Sequence, residues 1–507
     1  MKKIIIVGFV MSVSVSIGIF FILQKRSVPP PVSKCGDNIC DEFEKRSPYL
    51  CPKDCVSLPS VFNRSSLDSP FGMLPFFSFD KSLREGPPPK PEHFDFKPTE
   101  DLGLKWGRAH YLIWSMVQPT KNDVDKERYD WSDSDSVLGS YPEGFNAVEN
   151  IIAFSAKVDD EGEHLDNFSF PNKEAEEEYI RFVKKGVERY DGDGKDDMPG
   201  LKNPIKYWQV ENEPDLKAKK DWSGYANLLK ITYEGIKSVC ADCQVIIGGM
   251  GGEMRGLNEF FKPALEKLGG KYFDIFDYHC YGSKEDWYKC GRLAEEIKMA
   301  FPDNNFEIWL TETGTWSGNH NDPSGQPSKI QTEEDQAKAL VKFYVYPLSR
   351  GVKKVFWAWG ILEGFGGPEN NIFDKTGLMY DGYYSDDLGF GVKKLSYYTY
   401  KKMVEMLEGS EWDTIETITE KNDMYAYKFL RGGKTVWIAW NDSDSEKEVV
   451  IEDIGSQEVK ITEAVANCDS GKEVKDRSTA FSTKTEGIKN GKIMLKIKDI
   501  PVFVEEI

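Results

Sequence analysis

The sequence predicts an α/β chain built on a (β/α)8 TIM barrel, with a small N-terminal Cys-rich module and a C-terminal β-sandwich. Three observations predict this. From about Phe71 to Leu407, short apolar runs alternate with segments of helical periodicity, the pattern of a parallel sheet with helical crossovers. That stretch is long enough to close into a barrel. After Leu407 the helical pattern gives way to short β-like runs joined by turn signals. An open doubly wound sheet is the alternative for the first region, but no Gly-x-Gly-x-x-Gly fingerprint follows an early strand. The 507 residues accordingly divide into a membrane segment (1–27), a Pro-rich spacer with the Cys-rich module (28–60), the barrel (61–410) and the sandwich (411–507).

The chain opens with Lys2 and Lys3, then an uncharged run from Ile4 to Leu23. At 1.5 Å per residue such a run spans a hydrocarbon core of about 30 Å. It is longer than the apolar region of a cleavable signal, and no A-x-A-like site follows. The expectation is an uncleaved signal anchor in the cell membrane with the rest of the chain outside; cleavage and secretion are the alternative. Lys25 and Arg26 make both flanks basic, so charge does not set the orientation. Val28 to Val32 form a stiff Pro-rich spacer. Cys35, Cys40, Cys51 and Cys55 read as two disulfides in an oxidising compartment, with zinc as the alternative. Their spacing resembles small Cys-rich repeats of microbial surface proteins, in which interspersed acids hold calcium; Asp37, Glu44 and Asp54 match those acids. Cys240 with Cys243, and Cys280 with Cys290, are expected local bridges, leaving Cys468 buried and unpaired. Asn63, Asn167 and Asn441 each begin an Asn-x-Ser glycosylation pattern.

Within the barrel region the strand-like runs are Ile151–Phe154, Ile205–Val210, Gln244–Ile247, Phe273–Phe276, Glu307–Leu310 and Val355–Trp359. Between Lys173 and Tyr190, the residues Tyr179, Phe182, Val183, Val187 and Tyr190 recur at helical spacing over a charged face. Ala226–Cys240 and Glu333–Arg350 read likewise. Farther on, Met424–Leu430 and Thr435–Trp440 flank a hairpin turn at Arg431–Lys434, and Lys492–Ile497 and Val502–Val504 complete the β-like runs.

Composition narrows the function. Lys+Arg number 65 and Asp+Glu 84, a net charge of -19, which excludes a phosphate-backbone binder and so a nucleic-acid partner. Aromatics make up 13% of residues, which excludes a generally disordered chain. Acidity with abundant aromatics suits an extracellular protein that handles a neutral ligand with apolar faces, as sugars are. The plainer alternative is a large core under a solvated acidic surface.

The segment Tyr207-Trp-Gln-Val-Glu-Asn-Glu-Pro-Asp215 carries the chemistry. A strand ends at Asn212 and Glu213, and Pro214 stops its ladder. In a (β/α)8 barrel the C-terminal strand ends form the active face. Ile308-Trp-Leu-Thr-Glu-Thr-Gly314 puts Glu312 at a second strand end. One such Glu alone reads as a salt-bridged structural acid. Two, on different strands, supply what glycoside hydrolysis needs: a proton donor for the leaving oxygen, and a nucleophile or water-activating base.

With these motifs the chain resembles the clan A glycoside hydrolases, of the family 39 and family 5 type, over about residues 71–410. These are retaining (β/α)8 enzymes with Asn-Glu-Pro after strand 4 and a nucleophilic Glu after strand 7. The resemblance implies Glu213 as acid/base and Glu312 as nucleophile. Gly103–Arg108 is similar to strand 2 of the clan, which implies that Arg108 lies beside the nucleophile. Trp114, Pro119 and Tyr129-Asp-Trp131 match a following stretch, with Gln118 where the clan usually has Glu. Asn212 is implied to bond the sugar 2-hydroxyl. His279 and Tyr281 match the end of strand 6 that lines the sugar site, and Tyr281 is placed to donate to Glu312; His279 alone would otherwise read as a core histidine. Val355-Phe-Trp-Ala-Trp359 is similar to strand 8, whose Trp floors the site. Trp357 is the expected floor, with Trp359 in the core. Trp316 is either a further stacking surface or a loop-packing residue. For Glu213 to act as an acid near neutral pH, its pKa is expected to be raised by burial or by Glu312.

Asp191-Gly-Asp193-Gly-Lys-Asp-Asp197 is a separate signal. Acids closely spaced around Gly suit a structural calcium ion held by Asp191, Asp193 and Asp197; an acidic turn ending the preceding helix is the alternative. No cofactor is expected for catalysis. The expected activity is retaining hydrolysis of β-glycosidic bonds in an oligo- or polysaccharide. Its rivals are an inactive carbohydrate-binding protein on the same scaffold and a surface adhesion protein. The insertions Thr315–Ile330 and Gly360–Phe390 either wall off an exo-acting pocket or border an open groove.

Overall fold

The computed structural model describes residues 67–79, 93–153, 170–171, 173, 175–218, 221–302, 306–320, 329–364, 371–443 and 445–507. The expected anchor, the four cysteines at 35–55 with their neighbouring acids, and the Asn63 and Asn167 patterns lie outside these residues. Among the described residues no helix is long and apolar enough to cross a membrane.

Eight parallel strands close into a barrel: β1 (Phe71–Leu74), β2 (Trp106–Ile113), β3 (Asn146–Ile152), β4 (Tyr207–Asn212), β5 (Gln244–Gly249), β6 (Ile275–Tyr281), β7 (Glu307–Gly314) and β8 (Lys354–Ala358). Each pairs with its neighbours in chain order, and β8 closes on β1 through Phe71↔Val355 to Leu74↔Ala358. The connecting helices include α1 (Lys97–Leu102), α2 (Ser132–Leu138), α3 (Glu176–Tyr190), α4 (Trp222–Val239), α5 (Lys262–Lys267), α6 (Trp287–Ala300) and α7 (Glu333–Ser349); α8 (Leu395–Leu407) follows β8. The face of α3 read from periodicity is the buried one: Tyr179, Phe182, Val183, Val187 and Tyr190 are all inaccessible. Helix α7 starts on a capping box, in which Thr332 and Asp335 satisfy each other's backbone N–H groups.

Strand alternation fills the barrel in layers. Trp106, Val148, Ile246, Ile275, Trp309 and Phe356, with Tyr207, form one apolar cluster drawn from seven strands, which only the barrel interior permits. Two residues further along, Arg108, Gln209 and Asp277 form a buried polar layer. The catalytic candidates stand above it.

The C-terminal region has a six-stranded antiparallel sheet formed by β9 (Glu416–Lys421), β10 (Met424–Arg431), β11 (Lys434–Asn441), β13 (Glu458–Ala466), β14 (Phe481–Gly487) and β16 (Val502–Glu506), in the order β9-β10-β11-β16-β13-β14. A second, two-stranded sheet pairs β12 (Lys447–Ile451) with β15 (Ile493–Ile497). Val449, Ile451, Leu495 and Ile497 pack on Trp437, Ile461 and Val504 to make the sandwich core. The large sheet's other face meets the barrel helices. Trp287 of α6 contacts Tyr425 and Trp440 edge-on at 4.9 and 5.4 Å, and Lys342 of α7 pairs with Asp442 at 2.5 Å. Two expectations are corrected here. Asn441 is fully buried and its amide bonds the carbonyls of Ser445 and Ile497, so the folded chain does not present it for glycosylation. Cys468 has no disulfide partner among the described residues and is only half-buried.

Candidate active site

Glu312 sits at the end of β7 and is 2% exposed. A register shift explains why both Thr311 and Glu312 serve the site: Tyr278 faces Leu310, but His279 faces Glu312. Such a bulge re-aims side chains that strict alternation would separate. Arg108 Nη1 lies 2.5 Å from Glu312 Oε1. The same guanidinium donates from Nη2 to Asn212 Oδ1 at 2.7 Å and from Nε to Gln209 Oε1 at 2.7 Å. Gln209 in turn donates to Asp277 and to the Ile247 carbonyl. Arg108 thereby locks the nucleophile candidate and the Asn212 side chain to one rigid fork. Tyr281 donates its hydroxyl to Glu312 Oε2 at 2.8 Å.

Glu213 is half-buried at the end of β4, immediately before Pro214. Glu211 (φ 69°) and Glu213 (φ 48°) both take the left-handed conformation that disfavours non-glycine residues. The surroundings hold them there: the Glu211 carboxylate accepts from the Ala153 N–H at 2.6 Å, and Glu213 Oε1 meets His279 Nδ1 at 2.9 Å. His279 Nδ1 also lies 3.5 Å from Glu312 Oε2. One carboxylate oxygen of Glu213, one of Glu312 and a His279 nitrogen all fall within 4.8 Å of one another. Nearest oxygens this close are compatible with the ~5–5.5 Å spacing of retaining carboxyl pairs.

The protonation differs from the expectation. Burial pushes the Glu213 carboxyl up, but His279, then Lys217 and Arg108, outweigh it and hold Glu213 below its ordinary value. Burial opposes charge on His279, yet Glu312, Asp277 and Glu213 push the ring up to about 10. A proton shared by the Glu213–His279 pair therefore rests on the His279 side. A raised pKa on Glu213 alone, as the sequence suggested, overlooked the histidine that shares its proton. Replacing His279 with Asn leaves Glu213 to hold that proton unaided. The alkaline limb of a kcat/KM pH profile should then move down by roughly one to three pH units; an unmoved limb would show that the pair does not share the proton.

Sequence reasoning missed Gln209 and Asp277, whose buried polar side chains inside a barrel were a readable signal. It also missed two glycines. A Cβ on Gly249 would lie 2.0 Å from His279 Nε2, and one on Gly251 would lie 2.7 Å from Glu213 Oε1. Gly249→Ala should displace the imidazole and lower kcat/KM on the order of 10²-fold, the effect of ~1 Å of misplacement. Wild-type kcat/KM in a folded variant would contradict this placement of the ring.

The tryptophans fall differently from the expectation. Trp357 is fully buried, packs on Phe343 of α7 at 6.3 Å and donates its indole N–H to the Thr376 carbonyl. It is core, and it is not the floor of the site. Trp359 follows the last strand residue, Ala358, so strand alternation does not extend to it. It packs with Phe373 at 6.4 Å, and Phe373 meets Tyr281 at 5.1 Å, so Trp359 is the one on the site side. Trp316 is buried, donates to the Lys329 carbonyl and meets His320 edge-on, which makes it a loop-packing residue. Gln118 also has a structural place: it accepts from the Trp114 indole and donates to the carbonyls of Asp123 and Arg128.

Two bridges outside the N-terminal module match the sequence reading, Cys240–Cys243 and Cys280–Cys290. The second ties the end of β6, between His279 and Tyr281, to α6. Asp191, Asp193 and Asp197 do converge, with carboxylate oxygens within 4.8 Å of one another. A second acidic group, Glu363, Asp381 and Asp387, already holds Lys375 and Lys394 as ion-pair partners. Parts of both long insertions (321–328 and 365–370) lie outside the described residues.

A family model described as the RET cysteine-rich domain matches residues 22–73, which include Cys35, Cys40, Cys51 and Cys55. No curated protein sequence matches the chain. Solved structures with the same fold include a glucosidase from Croceicoccus marinus (13% identity, TM-score 0.54, covering 82% of this chain and 93% of that one). A monomeric β-xylosidase from Caulobacter crescentus CB15 is similar at 14% identity and TM-score 0.52, over 87% and 96% of the two chains. An α-L-arabinofuranosidase from Thermotoga maritima is similar at 12% identity and TM-score 0.53, over 86% and 95%. The shared feature at this level of identity is the fold, barrel and appended β-region together.

Proposed function

We propose that this chain is a retaining glycoside hydrolase that cleaves β-glycosidic bonds by double displacement. The observation that carries the reading is the facing pair Glu213 and Glu312, one carboxylate partnered by a protonatable histidine and the other by a buried arginine and a tyrosine hydroxyl. Similarity of fold to a glucosidase, a xylosidase and an arabinofuranosidase supports it without choosing among sugars.

In the first step Glu312 attacks the anomeric carbon. The bond to the leaving oxygen breaks, and that oxygen takes the proton held by Glu213 and His279. Arg108 keeps Glu312 ionised, and the buried guanidinium needs no reorganisation as charge shifts. Esterified Glu312 is neutral, so the field on Glu213 changes. In the second step Glu213 takes a proton from water as the water oxygen attacks the anomeric carbon, and the bond to Glu312 breaks to release its carboxylate. Asn212, oriented by Arg108, bonds the 2-hydroxyl, and Trp359 offers its face to the sugar. An outward-facing, membrane-anchored enzyme is the proposed setting, supported by Ile4–Leu23 and by disulfides that persist in oxidising compartments.

The test is turnover by the full chain on aryl β-glucosides, xylosides, mannosides and galactosides, followed by polysaccharides. Hydrolysis of at least one is expected. Measurable sugar binding with no turnover on any would favour the inactive carbohydrate-binding protein instead.

A further inference from the structure

We propose that the loop between α3 and β4 is a calcium site, with Asp191, Asp193 and Asp197 as its carboxylate ligands. The loop lies at the N-terminal end of β4, on the barrel face opposite Glu213 and Glu312. Asp191 caps the C-terminus of α3, and the chain then turns back on itself through left-handed Gly192, Gly194 and Asp196. The return is fixed at both sides, by Met198 N–H to the Arg189 carbonyl at 2.7 Å and by Ile205 N–H to the Tyr190 carbonyl at 2.8 Å.

An acidic turn alone would leave its carboxylates in water or pair them. Here one is neither. Asp191 is 1% exposed, and its Oδ2 is buried without a hydrogen-bond partner. Its other oxygen accepts only a long 3.3 Å contact from the Asp193 N–H. Burying an unpaired carboxylate oxygen is costly, and the cost grows when two further carboxylates lie within 4.8 Å. Neighbouring lysines relieve this only in part: the Lys206 charge favours an ionised Asp191 but its ammonium pairs with Asp242, Lys195 pairs with Glu188, and Lys185 meets Asp196 at 3.8 Å. A divalent cation at the convergence point answers both problems at once.

The geometry suits calcium. Oxygens on one Ca²⁺ lie ~2.3–2.6 Å from it and so at most about 5.2 Å apart, and one oxygen of each of the three carboxylates lies within 4.8 Å of the others. Gly194 and Gly192 donate backbone N–H groups to the two oxygens of Asp197, and Lys195 N–H donates to Asp193, so two of the three ligands are oriented in advance. Bound there, the ion would brace the turn that ends α3, in the loop that leads to β4.

The experiment compares the full wild-type chain with Asp193→Asn and Asp191→Asn. Asp193 is exposed, so its amide variant keeps the fold even if the buried one does not. Calcium bound per chain is counted by equilibrium dialysis with calcium alone, and melting is followed with calcium and with chelator. Because the full chain carries other acids near its cysteines, the difference between chains is the readout. The expected result is the loss of one calcium per chain in each variant and a smaller calcium-dependent rise in Tm than in wild type. The same number of bound calcium ions in wild type and Asp193→Asn, including none in either, overturns the proposal.

Discussion

Glu312→Ala is expected to lower kcat on an aryl β-glycoside on the order of 10⁵-fold or more, the scale reached when a covalent nucleophile is deleted. That corresponds to about 7 kcal/mol of lost transition-state stabilisation. The same substitution should also destabilise the fold, which separates it from an ordinary surface change. Arg108 is buried, and among the described residues its one ion-pair partner is Glu312, at 2.5 Å; Gln209 and Asn212 are neutral. Removing one member of a buried pair costs about 3–5 kcal/mol because the other charge remains. Glu312→Gln keeps a hydrogen-bond acceptor for Arg108 and should be less destabilising than the alanine variant while being equally inactive. Added azide should restore turnover to the alanine variant and yield a glycosyl azide of inverted configuration, because azide then occupies the nucleophile's place. An alanine variant as active as wild type would remove Glu312 from the chemistry.

Glu213→Ala is expected to show a dependence on the leaving group that Glu312→Ala does not. A natural oligosaccharide, whose departing alkoxide needs a proton, should lose about 10²–10⁴-fold in kcat/KM. A dinitrophenyl glycoside, whose leaving group needs none, should keep most of its first step and stall in the second, where water has lost its base. A burst of dinitrophenolate followed by slow turnover is the signature. Equal losses on both substrates would mean that Glu213 positions the substrate and does not transfer protons. The stability cost should be smaller than for Glu312, because the Glu213 side chain is 17% exposed and His279 keeps Asp277 and Glu312 nearby.

Much of this arrangement was legible in the sequence because it follows from strand ends. Asn212-Glu213-Pro214 announces its place: a polar pair followed by a residue that ends a ladder. The barrel was legible because β4 to β8 are short apolar runs between helices, and α3 buries the face its spacing marks. β1, only four residues long, carries no periodic signal of its own, and β14 reads as polar because most of its residues are exposed. What stayed hidden depended on contacts between distant segments. No local pattern says that Gly249 must lack a Cβ so that the His279 ring, thirty positions later, can occupy the space a Cβ would take. The preference for Trp357 over Trp359 failed because alternation was carried past the point where β8 ends. The protonation of Glu213 was misjudged because its main partner, His279, comes from another strand, and burial and pairing act in opposite directions on the same carboxyl.

The central claim is double displacement through Glu312, and its most direct measurement is the anomeric configuration of the first-formed product. Hydrolysis of a β-glycoside by the wild-type chain, followed by proton NMR before mutarotation sets in, should give the β-anomer first. Initial appearance of the α-anomer would mean single displacement by water and would contradict the account.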